Sequence, residues 1–316
     1  MKKIITTLCL LCAATAAQAQ SPYPDKPLRF VVAFAAGGYA DAVARLVGQK
    51  LGERLGQTVV VENRGGAGGN LATRQVAAAK PDGYTLLVNT TAYAINPSLY
   101  RSAGYDIKDL VPVAYTVSTP GIFTVHASSP INTLHDLLQQ KGKRVTYATA
   151  GVGSSSHLAA DYLLRSLAGL DAVHVPYQGG GPAVTAAVSN QVDVLSASMP
   201  PVLPHIRAGK LKVLAVSSLK PVAALPGVPT VSESGYPGFE ESSWVGVFAP
   251  SGTAGAIVER LNRDINAVLG DPDALQRFAG LGAEARPLSS AEFADYIGRE
   301  AAKWSKLVKL SGVSEE

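Results

Sequence analysis

Leu28-Arg29-Phe30-Val31-Val32-Ala33-Phe34-Ala35-Ala36-Gly37-Gly38-Tyr39-Ala40-Asp41-Ala42-Val43 decides the reading of the chain. Residues 28–34 form a β-favouring run. Ala35 to Gly38 break it. From Tyr39 onward, Ala42, Val43, Leu46, Val47 and Leu51 recur at helical spacing until Gly56. Strand, glycine loop and helix in that order are the unit of an α/β fold.

Working outward, the unit repeats. Thr58–Val61 is a second strand, followed by a loop at Gly65, Gly66, Gly68 and Gly69 and an Ala-rich helix over 71–79. Tyr84–Val88 is a third strand. The pattern restarts after Pro120: a strand over 121–126, a helix over 134–140, and a strand over 145–149. The loop 151–156 then leads into a helix over 157–167. A strand ending at Pro176, a triple-glycine entry into a helix through Val188, and strands over 192–197 and 213–217 follow. Trp244–Ala249 is a strand that returns to the first unit, and helices over 257–269, 274–281 and 291–308 close the chain. The last shows one apolar stripe of Phe293, Tyr296, Ile297, Ala301, Trp304 and Leu307. Strands apolar throughout suit a sheet covered on both faces.

This order predicts two α/β lobes. Residues 20–122 plus 229–316 make a discontinuous first lobe, and residues 123–228 a second. An α/β sheet binds ligands beyond the C-terminal ends of its strands, so two lobes create a cleft that closes by hinge motion.

Composition narrows the function. The chain has 316 residues, 47% hydrophobic and 16% charged, with a formal charge of +4. That excludes a disordered tail and gives no footprint for nucleic acid. Lys2 and Lys3, the apolar run 4–17 and Ala17-Gln18-Ala19 read as a signal peptide over 1–19, cleaved near Ala19. Both cysteines, Cys9 and Cys12, fall inside it, so neither a disulfide nor thiol chemistry is expected in the exported chain.

Four loops at strand C-termini are candidates for chemistry: Ala35–Asp41, Gly151–His157, Tyr177–Ala183 and Asn89–Ala92. Each can present bare backbone N–H groups at a helix start, where the helix dipole favours an anion such as a carboxylate. Asp41 stands where it can cap its helix. Enzyme signatures are weaker. Gly151-Val152-Gly153-Ser154-Ser155 fails G-x-S-x-G, the scattered histidines form no zinc motif, and the loop at Gly65–Gly69 lacks the lysine of a phosphate loop.

These loops carry a resemblance. Phe34-Ala35-Ala36-Gly37-Gly38-Tyr39-Ala40-Asp41-Ala42-Val43-Ala44-Arg45 resembles the F-x-x-G-G-x-x-D-x-x-A-R opening of the Bug family, extracytoplasmic solute receptors of tripartite tricarboxylate transporters. Val59–Asn70 is similar to its V-V-E-N-R-P-G-A-G-G-N, Pro81–Leu87 to its P-D-G-Y-T-L-L, and His174–Ala183 to its V-P-Y-x-G-x-x-P-A. Trp244–Pro250 and Glu259–Asn262 resemble its W-x-G-x-x-A-P and E-R-L-N. The likeness runs in order through nearly the whole chain after the leader.

The resemblance implies a periplasmic binding protein fold and a non-enzymatic role: a di- or tricarboxylate, amino acid or aromatic acid bound without metal or cofactor. The acid would be passed to membrane permease subunits by a monomeric receptor. It places one carboxylate on Gly37, Gly38, Tyr39, Ala40 and Asp41. A second loop carries over onto Gly153, Ser154, Ser155 and His157. Thr90, Thr91, Tyr177, Gly180 and Asp193 complete the implied lining. Arg64-Gly65-Gly66 replaces the family's Arg-Pro-Gly, and Ala35-Ala36 stands where the family often has proline. Tyr39 is bulky for a pocket lip and points to small or planar ligands. Two alternatives stay open at this level: an exported hydrolase using a serine of 154–156, and the sensing subunit of a signalling system.

Overall fold

The structure, a computed structural model, describes residues 23–311. The leader over 1–19, with Cys9 and Cys12, lies outside them. The first elements are β1 (Leu28–Val32), α1 (Tyr39–Leu55), β2 (Val59–Asn63), α2 (Asn70–Ala77), β3 (Thr85–Thr90), α3 (Ala92–Leu99) and the 17-residue β4 (Leu110–His126). The middle of the chain supplies α4 (Leu134–Leu138), β5 (Arg144–Thr149), α5 (Ser155–Asp161), β6 (Asp171–Pro176), α6 (Gly180–Val188), β7 (Val194–Ser198), α7 (Leu203–Arg207) and β8 (Leu211–Val216). A π turn over Tyr162–Leu167 continues α5. The end of the chain supplies β9 (Ser242–Pro250), α8 (Gly255–Leu269), α9 (Pro272–Gly280), the short β10 (Glu284–Ala285) and α10 (Ser290–Ser311).

The sheet runs β2-β1-β3-β9-β4-β7-β5-β6, with β8 and β10 also on β4. β1 pairs in parallel with β2 and β3, and β5 with β6 and β7. β9 enters antiparallel between β3 and β4. The sequence pattern breaks at Pro120, yet β4 passes straight through it. From Leu110 to Pro120 it pairs with β9, and from Gly121 onward with β7 and β8. Proline cannot donate to a ladder. Pro120 sits opposite Ser242, the first residue of β9, where the partner changes and little is lost.

α3 was not legible in the sequence because Pro97 lies inside it and nearly every side chain is buried. Pro97 leaves the Tyr93 carbonyl without its helical donor, and the Tyr105 hydroxyl fills that place at 3.0 Å. The first half of β4 and α7 were missed too.

One apolar core joins β1, α1, β3, α3, β9, α8 and α10. Two smaller cores lie beyond Gly121, one including Phe123, Tyr147 and Leu163, the other Ile122, Val184 and Leu195. Val231 and Phe239 also pack into the second core. α10 buries Phe293, Ile297, Trp304 and Val308, while Leu307 of the expected stripe is exposed. Glu300 on that helix accepts the indole N–H of Trp244 at 3.2 Å and of Trp304 at 3.0 Å, which fixes α10 against β9.

Candidate functional site

The C-terminal ends of β1, β3, β5 and β7 face one another across the line where β4 changes partners. The residues that follow them line a single cavity: Phe34, Gly38, Tyr39, Ala40, Thr90, Ala150, Ser154, Ser155, Ser156, Gly180, Ala197, Ser198, Pro201 and Ser243. Its volume is about 30 Å³. Three helices begin on it. Gly38 is the N-cap of α1, Ser154 of α5, and Gly180 opens α6. The first amides of a helix have no intrahelical acceptor, and its dipole is positive there. None of the described lining residues is Lys or Arg.

The closeness of the walls depends on glycine. A Cβ on Gly38 would lie 3.3 Å from the Gly180 nitrogen. The Ala35 amide donates to the Gln178 carbonyl at 2.9 Å, so the loop after β1 is bonded to the loop after β6. A second hollow of about 170 Å³ adjoins the cavity and shares Phe34 and Ala150 with it.

Side chains set the loops. Asp41 does not act as an N-cap. It is the third residue of α1, and its carboxylate reaches back to accept the Gly37 N–H at 2.9 Å while pairing with Arg45 at 2.9 Å. Burial pushes its pKa up, but Arg45, the Gly37 amide and Asn63 outweigh that and hold it below the usual range. Ser154 caps α5 by accepting from the His157 amide at 3.2 Å and donates its own proton to the Gly151 carbonyl at 2.7 Å. Gly153 has a left-handed φ of 80° and donates to His157 Nδ1 at 3.4 Å. The His157 ring stacks on His174 at 4.1 Å. Burial lowers the first ring to about 4, and burial with the neighbouring His157 lowers the second to about 3.

The expected site residues therefore divide. Gly38, Tyr39, Ala40, Thr90, Ser154, Ser155 and Gly180 share the cavity. Gly37, Asp41, Gly153 and His157 stand behind it and shape its loops. Thr91 is turned to β9, where its hydroxyl accepts the Trp244 amide at 3.1 Å. Tyr177 lines the adjoining hollow. Asp193 lies elsewhere. It precedes β7, about 16 Å along the strand from Ser198, and its carboxylate accepts from the Thr146 amide and hydroxyl, both at 2.7 Å. Nor does the Tyr39 side chain form a pocket lip. Its ring is buried and its hydroxyl donates to the Val117 carbonyl at 3.1 Å. Phe34, Ala150, Ala197, Ser198, Pro201 and Ser243 were missed; a rule that every strand end facing the cleft contributes would have found most of them.

This arrangement, the two halves of a sheet joined through β4 with helix starts meeting between them, is that of a periplasmic binding protein. The profile described as tripartite tricarboxylate transporter family receptor (TctC) matches residues 43–313, and the chain belongs to that family. Solved relatives agree in fold. The periplasmic binding protein BugD is 36% identical, with 93% of this chain and 100% of that one covered and a TM-score of 0.88. Rpa4515 of R. palustris, solved with adipate, is 33% identical, with 92% and 99% covered and a TM-score of 0.88. MatC from Rhodopseudomonas palustris, with bound malate, is 33% identical, with 90% and 100% covered and a TM-score of 0.85. The chain is a Bug-type solute-binding protein, not an enzyme. Ser154 and His157 do not form a nucleophile–base pair: the Ser154 proton is committed to Gly151, and His157 Nδ1 to the Gly153 amide.

Proposed function

We propose that this chain is an exported periplasmic receptor for a small carboxylate, freed of residues 1–19, which hands its solute to the permease of a tripartite tricarboxylate-type transporter. Lobes 20–122 plus 229–316 and 123–228 close over the acid by bending where the chain passes between them, within β4 and in the segment that leads into β9. The observation that carries this reading is the convergence of three helix N-termini on one cavity whose described lining holds no cationic side chain. Bare amides and helix dipoles attract an anion without a salt bridge. The cavity is far smaller than the ~300 Å³ or more of a typical ligand pocket, so the lobes part to admit the acid, and the adjoining hollow supplies the extra room. Adipate and malate in the relatives set the size range. The absence of a membrane-length apolar helix among the described residues is compatible with this role.

A thermal-shift and calorimetry panel of malate, adipate, glutamate and benzoate, with glucose and lysine methyl ester as uncharged and cationic controls, tests it. Saturable stabilisation by at least one acid and by neither control is expected. Stabilisation by a control alone would overturn the reading.

A further inference from the structure

Carbonyl groups around the cavity and the adjoining hollow already serve the protein's own donors. At a helix start the N–H groups point outward and the carbonyls point down the helix. The Gly38 carbonyl accepts the Ala42 amide at 3.0 Å, and the Ser154 carbonyl accepts the His157 amide at 3.1 Å. The Ser156 carbonyl takes the Ser196 hydroxyl at 3.0 Å. The Thr90 hydroxyl oxygen accepts the Ala92 amide at 3.3 Å, which leaves its hydrogen to donate elsewhere.

The hollow repeats the pattern. The Gly151 carbonyl takes both the amide of Ser154 at 3.1 Å and its hydroxyl at 2.7 Å. The Gln178 carbonyl holds the Ala35 amide at 2.9 Å. The Gly68 carbonyl accepts the Asn96 side-chain amide at 2.9 Å, and the Gly69 carbonyl the Thr73 hydroxyl at 2.9 Å. None of the described residues lining either space is Asp or Glu. Carboxylates on neighbouring segments are engaged away from both. Asp41 holds the Gly37 amide and Arg45, and Glu241 accepts the Ser217 hydroxyl at 3.0 Å.

An ammonium group carries three donors and no acceptor. Enclosed here, it meets the positive ends of three helix dipoles, carbonyls that already have donors, and no counter-charge. Serine hydroxyls can accept from it but do not neutralise it, and an unpaired buried charge is strongly unfavourable. A hydroxyl on the same carbon is neutral and accepts as well as donates. A plain methylene asks for nothing.

We propose that the site selects carboxylic acids that carry no amino group, hydroxylated or plain, and rejects α-amino acids. The inference rests on the carboxylate reading of the cavity and narrows it. Ser198, the last residue of β7, is half-buried on the cavity wall and is the position where a carboxylate would change the choice.

The test is calorimetry near pH 7.5 on matched pairs: malate against aspartate, and adipate against 2-aminoadipate, with both enantiomers of each chiral acid. Wild type is expected to bind at least one acid without an amino group, and to bind its amino counterpart at least thirtyfold more weakly in either enantiomer. Ser198→Asp supplies the missing counter-charge and is expected to narrow that ratio at least tenfold. A wild-type ratio below thirtyfold, or binding of the amino acids alone, overturns this proposal and leaves the carboxylate reading intact. An unchanged ratio in a folded Ser198→Asp variant also overturns it. Failure of every acid to bind overturns both. The wild-type ratio decides the matter even if the variant does not fold.

Discussion

The amide of Ala35 and the carbonyl of Gln178 are 2.9 Å apart and joined by a hydrogen bond, although 143 positions separate them in sequence. One lies in the loop after β1 and the other in the loop before α6. This bond registers the two lobes so that the starts of α1, α5 and α6 address the same small space. On the proposed function, backbone N–H groups, rather than long cationic side chains, carry the attraction for an anion.

Gly38 tests how tightly that space is built. Its φ of −87° and ψ of 178° suit any residue, so a side chain is tolerated by the backbone. A Cβ there nonetheless comes within 3.3 Å of the Gly180 nitrogen. Gly38→Val is expected to weaken acid binding by tenfold or more, about 1.4 kcal/mol, with little change in Tm. Calorimetry beside a thermal melt checks both halves.

Asp41 holds the first loop from behind. Asp41→Ala removes the acceptor of the Gly37 amide and the partner of Arg45. Loss of roughly 1 kcal/mol of stability and several-fold weaker binding are expected. Asp41→Asn keeps an acceptor and is expected to restore most of the affinity. Equal affinity in wild type and Asp41→Ala would separate this residue from the site.

Gly153 tests the contact between lobes. Its φ of 80° disfavours any side chain, and a Cβ would run into the side-chain oxygen of Asn96 on α3. That oxygen has no hydrogen-bond partner. Gly153→Ala is expected to lower Tm and to bias the chain toward an open form, visible as a larger radius of gyration in scattering. Adding Asn96→Ser relieves the clash, so the double variant should be more stable than the sum of the single effects.

The stacked histidines give a pH dependence of defined sign. Both rings titrate lower in the folded chain, about 4 for His157 and about 3 for His174, than the unfolded value of 6.5. The folded chain therefore binds fewer protons than the unfolded one. Their contribution is complete above pH 6.5 and is lost as pH falls toward 4 and 3. A second proton on His157 also ends the bond from the Gly153 amide to Nδ1. Urea melts across that range are expected to show a loss of a few kcal/mol, reduced in His157→Gln. A pH-independent midpoint would contradict this account of the pair.

How far the sequence carried the reading depended on whether local signals and tertiary context agreed. α1 was legible almost to the residue because its apolar spacing, the glycines before it and the left-handed Gly56 after it all say the same thing. α3 was invisible, since burial of nearly every side chain erases periodicity and Pro97 argues against a helix until Tyr105 supplies the missing donor. Pro120 read as a boundary between units, whereas the strand runs on and only its neighbour changes. At the candidate site, the glycine and serine loops stand out by their position between a strand and a helix, and Gly38, Ser154, Ser155 and Gly180 line the cavity. Asp193 was misplaced because its neighbour Val194 begins a strand whose other end, Ser198, reaches the cavity. Which end of a strand faces a ligand is a property of sheet order, which local sequence does not encode.

The most direct test of the central claim is a crystal structure of the protein grown with malate or adipate. The account predicts a carboxylate between the lobes, its oxygens about 3 Å from backbone N–H groups at the starts of α1 and α5, with no lysine or arginine in contact. A carboxylate held by a cationic side chain, or bound outside the space between Gly38, Ser155 and Gly180, would contradict it.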